Sequence, residues 1–210
     1  MRPVDVALRV ARLAFAALAV AALVTCYLDS RDAPGFTLGN FWSYFTNLSN
    51  LLSVVVLVVG AVVAPRAPWM DAFRGAVAFC MAVTGLVFAV LLRDVGVGVL
   101  APWVNTVVHQ VMPVVMVADF LVSRRTRPID VRAALTWLAL PLVYLVYTLV
   151  RGPLADDFYP YPFVDAAARG YGPVLATSVV LLLGGALLAV GLASLGNRLD
   201  AARGGAVSRT

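Results

Sequence analysis

The sequence contains no lysine and no glutamate: its 16 basic residues are all Arg, its 11 acids are all Asp, and only 13% of the chain is charged. It has two cysteines, Cys26 and Cys80, and one histidine, His109. Each scarcity excludes something. Two cysteines do not make a disulfide-stapled secreted scaffold. One His with scattered Asp residues does not assemble the three ligands of a metal site, and haem held between two histidines is impossible. Glycine-rich phosphate loops and redox Cys pairs are absent as well. No metal and no cofactor is therefore expected. The Arg-only, Asp-only charge set reads as nucleotide-composition bias, as in a GC-rich bacterial genome.

What fills the space is apolar. Of 210 residues 62% are hydrophobic, and the mean hydropathy is +0.92. A soluble domain is closer to half apolar and a quarter charged, so the composition points to an integral membrane protein. Apolar runs lie at Val6–Leu28, Leu38–Ala64, Ala72–Leu92, Val99–Val122, Val131–Val150 and Pro173–Leu195. Each has about the 20 residues needed to cross a hydrocarbon core of roughly 30 Å. Backbone groups in lipid must bond internally, so the expected fold is all-α: a polytopic bundle of six transmembrane helices. Residues 1–196 form one such domain, and the polar stretch 197–210 is expected as a mobile tail.

A net charge of +5 would make a nucleic-acid partner conceivable in a soluble protein. Here the Arg residues are spread over short loops, and no nucleic-acid partner is expected. Twelve (Arg2, Arg9, Arg12, Arg66, Arg74, Arg124, Arg125, Arg127, Arg132, Arg198, Arg203, Arg209) fall on one side of the six runs. Arg31, Arg93, Arg151 and Arg169 fall on the other. By the positive-inside rule both termini are cytoplasmic, in a bacterial inner membrane. Leu23-Val24-Thr25-Cys26 loosely resembles a lipoprotein cleavage box, but Thr before the Cys fits poorly and the apolar run is long for a signal.

The polar exceptions carry the chemical information. In the second run Ser43, Thr46, Asn50 and Ser53 recur at helical spacing and make one stripe. In the fourth run Asn105 lies one turn before His109, beside Thr106 and Gln110. Both runs descend from the same side. Thr46 lies eight residues past Leu38 and His109 nine past Leu100, so both sit roughly 12–14 Å below the boundary. They meet if the second and fourth helices pack together. Pro113 removes the helical partner of the His109 carbonyl, and Pro141 does the same to Trp137. Hydroxyls in membrane helices usually bond back to their own backbone, whereas an ionisable residue there is rare and usually functional or paired. Asp119, near the inner end of the fourth run, is expected to be a solvated partner for Arg124 or Arg125. A hydroxyl becomes a nucleophile when a base takes its proton, and His109 can be that base. Asn47, Asn50 or Asn105 could donate to an oxyanion. No Asp shares this depth, so a dyad fits better than a triad.

At these residues the chain resembles a known family. Phe45-Thr46, Asn105-Thr106-Val107-Val108-His109-Gln110-Val111-Met112-Pro113 and Tyr161-Pro162-Phe163-Val164-Asp165 are similar to segments of the androgen-induced and ADTRP-type intramembrane threonine hydrolases. Small bacterial six-span proteins resemble the chain throughout its length. The resemblance implies Thr46 as nucleophile and His109 as its base. It implies a lipid substrate, an ester between a fatty acid and a hydroxy fatty acid. The surroundings of Thr46 are more polar than in the animal proteins, which leaves Ser43 and Ser49 as rival hydroxyls. Tyr159-Pro160-Tyr161-Pro162-Phe163 is then either an interfacial anchor or a lid over an apolar tunnel, with Tyr161 and Phe163 at the substrate. Arg93 or Arg151 could hold a substrate carboxylate, although snorkelling to the interface is the commoner use of Arg there. Two other functions fit the same residues: a lipid- or small-molecule-binding membrane protein without catalysis, and a proton-linked transporter using His109. The second lacks an acidic relay and a visible inverted repeat.

Overall fold

The computed structural model describes residues 3–63, 67–93, 95 and 101–207, and every regular element among them is helical. Among the described residues six helices are long and apolar enough to cross a membrane: Asp5–Ser30, Phe45–Val62, Pro68–Leu92, Pro102–Val122, Val131–Leu154 and Tyr171–Arg203. Arg2, Arg66 and Arg209, which entered the charge count, lie outside the described residues, as do Ala64, Val99 and Leu100 at the expected span ends.

Helix α1 (Pro3–Ser30) packs along α3 (Phe45–Val62), α3 on α4 (Pro68–Val87), and α4 on α6 (Met112–Val122). Small residues permit this closeness. Ala16, Ala19 and Ala22 of α1 are buried with Val56 and Leu57 of α3, as expected where dispersion rather than water drives helix association. On the far side of α4, a Cβ at Gly75 would overlap the Trp137 indole, so only glycine admits that ring.

Three features depart from the expected pattern. The second apolar run is not one helix. It is a short α2 (Leu38–Trp42), a turn at Ser43 and Tyr44, and then α3. Tyr44 is extended (φ −77°, ψ 123°), and the Asn47 amide reaches back to the Phe41 carbonyl at 2.8 Å, bridging the break. Thr46 therefore stands in the first turn of its span, not eight residues into it.

The stretch from Asn197, expected as a mobile tail, instead continues the last helix (Tyr171–Val207). Its side chains dock it on the loop after α6. The Asn197 amide pairs with both backbone groups of Ile129, at 3.1 and 2.8 Å. Asp200 holds Arg125 at 2.7 Å, and Arg203 donates to the Leu121 carbonyl at 2.9 Å.

Asp119, expected to face the basic loop in water, is 5% exposed and bound by two other arginines. Arg12 Nε meets its Oδ1 at 2.7 Å and Arg74 Nε its Oδ2 at 3.2 Å. Arg12 also donates to the Gly60 carbonyl and to Ser123 Oγ. Asp71 accepts from the backbone and hydroxyl of Thr126, both at 2.7 Å. This network ties four spans together at the arginine-rich end. Buried charges persist only when so paired.

Candidate active site

Near the opposite end of the bundle, two spans leave regular α geometry at one level. Phe88–Leu92, continuing α4, and Val107–Val111, between α5 (Pro102–Thr106) and α6, are π-helical. Each widens its turn by one residue, a distortion that often marks functional positions. The second precedes Pro113, where a normal helical bond cannot form. Their effect is to bring Phe88 flat onto His109, with ring centroids 4.3 Å apart and planes 14° apart.

The imidazole is fixed at both nitrogens. Nδ1 lies 2.8 Å from Asn105 Oδ1 and 3.2 Å from the Asn105 backbone carbonyl. A carbonyl only accepts, so Nδ1 carries the hydrogen, and Nε2 is left with its lone pair. Nε2 faces Thr46 Oγ1 at 3.3 Å. The second and fourth spans do meet, at the two residues singled out by depth. The contact depends on the break before α3. With the chain broken there, α3 starts beside His109.

Being in the first turn leaves the Thr46 N–H without a helical acceptor. It donates to the Tyr161 phenolic oxygen at 3.1 Å, and that oxygen also lies 3.2 Å from Thr46 Oγ1. Tyr161 comes from the segment between the fifth and sixth spans, whose 3₁₀ turn Pro162–Val164 sets its ring into the bundle, stacked on Phe163 (5.4 Å, 3°). Tyr161 is 5% exposed. Burial pushes its phenol up to about 12, so it stays protonated at neutral pH. The base of the loop is fixed at Gly152, where a Cβ would overlap the Tyr159 ring.

Two cavities adjoin Thr46, His109 and Tyr161. One, of about 110 Å³, runs toward the bundle centre between apolar walls that include Phe79, Val83, Leu138, Leu182, Phe163 and Gly185. The other, of about 650 Å³, opens toward the loop end past Asn47, Asn105, Arg93, Asn40 and Ser30. A helix start buried at this depth is tolerable because it borders a cavity with polar groups in its wall.

The remaining expected site residues fall into two groups. Asn47 and Asn105 border the larger cavity, Phe163 the smaller, and Arg93 stands exposed on the larger one. Asn50 is not placed to donate to an oxyanion. Its amide nitrogen is engaged by the Thr46 and Val108 carbonyls at 2.9 and 3.2 Å, which locks α3 to the π-helical segment. Arg151 lines neither cavity: Asn40 Oδ1 holds it at 2.7 Å, over the Phe158 ring. Of the rival hydroxyls, Ser43 is shared between the Gly39 carbonyl and Tyr147, and Ser49 reaches neither cavity. Ser53 bonds back to Ser49. Thr46 is the one member of the stripe that faces both chambers. Sequence reasoning missed two things: the orienting contact of Asn105, whose one-turn spacing from His109 was the available signal, and the approach of Tyr161 to Thr46, for which spacing gave none.

The fold and site thus define a multi-pass helical membrane protein with a partly buried Thr–His pair between an apolar chamber and a larger, more polar one. Residues 84–197, more than half of the chain, match the family described as FAR-17a/AIG1-like protein, and the chain belongs to that family. The match bears out the resemblance seen in the sequence. It includes Asn105, His109 and Tyr161, while Thr46 precedes it. No curated protein and no solved structure matches the chain.

Proposed function

We propose that the protein is an intramembrane hydrolase of lipid-like esters, such as fatty acid esters of hydroxy fatty acids, with Thr46 as nucleophile and His109 as its base. The observation that carries this reading is the directed chain Thr46 O–H to His109 Nε2, and His109 Nδ1–H to Asn105, lying where an apolar chamber meets a larger one with polar groups in its wall. Asn105 is the positioning residue. It holds the tautomer that leaves Nε2 able to take a proton, as the third member of a triad does.

The substrate is placed by polarity. Its acyl tail enters the smaller apolar chamber and its alcohol half lies in the larger one, where Arg93 can meet a carboxylate. Thr46 Oγ1 attacks the ester carbonyl carbon as its proton passes to His109 Nε2. The tetrahedral intermediate collapses by expelling the alkoxide, which leaves with the proton from His109. Water from the polar chamber then attacks the acyl-threonine, with His109 again as base, and the fatty acid is released. The N-terminus of α3 places the positive end of its dipole beside the developing negative charge.

The membrane is a bacterial inner membrane with both termini in the cytoplasm, so the polar chamber opens on the outer side. The arginine distribution supports that orientation. A fluorophosphonate probe tests the chemistry. It labels the purified protein, and labelling disappears in Thr46→Ala and in His109→Ala; labelling that survives both changes removes the dyad.

A further inference from the structure

We propose that Tyr161 is a third catalytic residue, the hydrogen-bond donor to the oxyanion formed when Thr46 attacks the ester. The inference rests on the hydrolase reading above and assigns the Tyr159–Phe163 loop a chemical role rather than that of an anchor or lid.

A phenol has one hydrogen to give and two lone pairs. One lone pair of Tyr161 already accepts the Thr46 N–H at 3.1 Å. The hydroxyl thus has its proton to direct elsewhere, and Thr46 Oγ1 stands 3.2 Å away. Thr46 in turn gives its proton to His109, so the three groups form one line of donation: Tyr161 to Thr46, Thr46 to His109, His109 to Asn105. In the tetrahedral intermediate the oxyanion and Oγ1 are bonded to the same carbon. A donor aimed at Oγ1 before attack therefore needs only a small rotation about its C–O bond to reach the new oxygen.

No proton leaves the phenol in this step. The Oγ1–C bond forms, the carbonyl π pair moves onto oxygen, the Thr46 proton resides on His109, and Tyr161 donates throughout. The burial that pushes the phenol up to about 12 keeps the donor neutral, and a donor fixed in place before the reaction costs no reorganisation when the charge develops. Two other tyrosines nearby are committed differently: Tyr144 donates to the Ser43 carbonyl and Tyr147 is bonded to Ser43.

The test is ester turnover by the full-length protein in detergent or liposomes. Tyr161→Phe lowers kcat by about 10²- to 10³-fold, the cost of losing one oxyanion donor, while KM changes little because the interaction belongs to the transition state. A second series replaces Tyr161 with mono-, di- and trifluorotyrosine, which sharpen the donor with little added volume. Turnover rises as the phenol becomes more acidic. A flat series shows that Tyr161 only positions Thr46, and a falling series shows a proton acceptor; either overturns the proposal. The series decides even if Tyr161→Phe does not fold. Thr46→Ala, assayed alongside, separates the two claims. If the parent turns over no ester the hydrolase reading fails, and if Thr46→Ala still turns it over Thr46 is not the nucleophile; if Thr46→Ala is inert and the fluorotyrosine series is flat, only the role of Tyr161 fails.

Discussion

Replacing Asn105 by alanine tests the orientation of the imidazole. The side chain supplies the shorter of two acceptors for His109 Nδ1, 2.8 Å against 3.2 Å for the Asn105 backbone carbonyl. Losing it does not strand the N–H, because the backbone acceptor stays in place. The expected cost is therefore one ordinary hydrogen bond, about 1 kcal/mol and at most about 1.5, rather than the roughly 10⁴-fold loss that follows a wrong tautomer. We expect kcat to fall by about fivefold, and by little more than tenfold at most, with little change in KM. Asn105→Asp keeps an acceptor at the same reach and restores most of the rate. Asn105 is only partly buried, so neither change moves the melting temperature much. The assay is the second-order rate of fluorophosphonate labelling alongside ester turnover. An Ala variant as fast as the parent refutes the orienting role. An Asp variant as slow as Ala shows that the amide acts through its N–H groups instead.

Two further outcomes follow from packing. Asp119→Ala removes the carboxylate shared by Arg12 and Arg74, leaving two buried guanidinium groups short of a counter-charge. It should destabilise the protein by about 3–5 kcal/mol, read as a lower denaturation midpoint in micelles; an unchanged midpoint rejects the network as a structural tie. Gly185→Leu extends a side chain into the apolar chamber, where a Cβ meets only the Phe79 ring at an ordinary 3.5 Å. Displacing about two methylenes of substrate at about 0.8 kcal/mol each lowers kcat/KM for long-chain esters by about 15-fold, and acetyl esters are spared. Equal losses on both place the acyl tail elsewhere.

The sequence made six spans legible because lipid leaves the backbone few choices: a run of about 20 apolar residues becomes a helix. It made Thr46 and His109 legible because polar residues are few in such runs. The break at Ser43 and Tyr44 was not legible, since Phe41, Trp42, Tyr44 and Phe45 continue the apolar run and no proline or glycine stands between Asn40 and Val59. The partner of Asp119 was hidden for a related reason. Proximity in sequence favoured Arg124 and Arg125, whereas packing of α1 and α4 brought Arg12 and Arg74, respectively 107 and 45 positions away along the chain. The end of the last helix looked like a tail because its residues are polar, but those polar groups are what dock it on the preceding loop.

The two π-helical segments have a consequence for how such a site could arise or vanish. Each is the mark of one surplus residue in an otherwise regular helix. Deleting one residue within Val107–Val111 would restore the α repeat and turn everything on one side of the cut by about 100° relative to the other. His109 and Asn105 could then no longer be held against Thr46 by the same packed α6. Hydropathy, span count and orientation would be unaltered. Two chains indistinguishable by every measure of membrane insertion can therefore differ in whether they hold a reactive centre, through a change of a single residue in length.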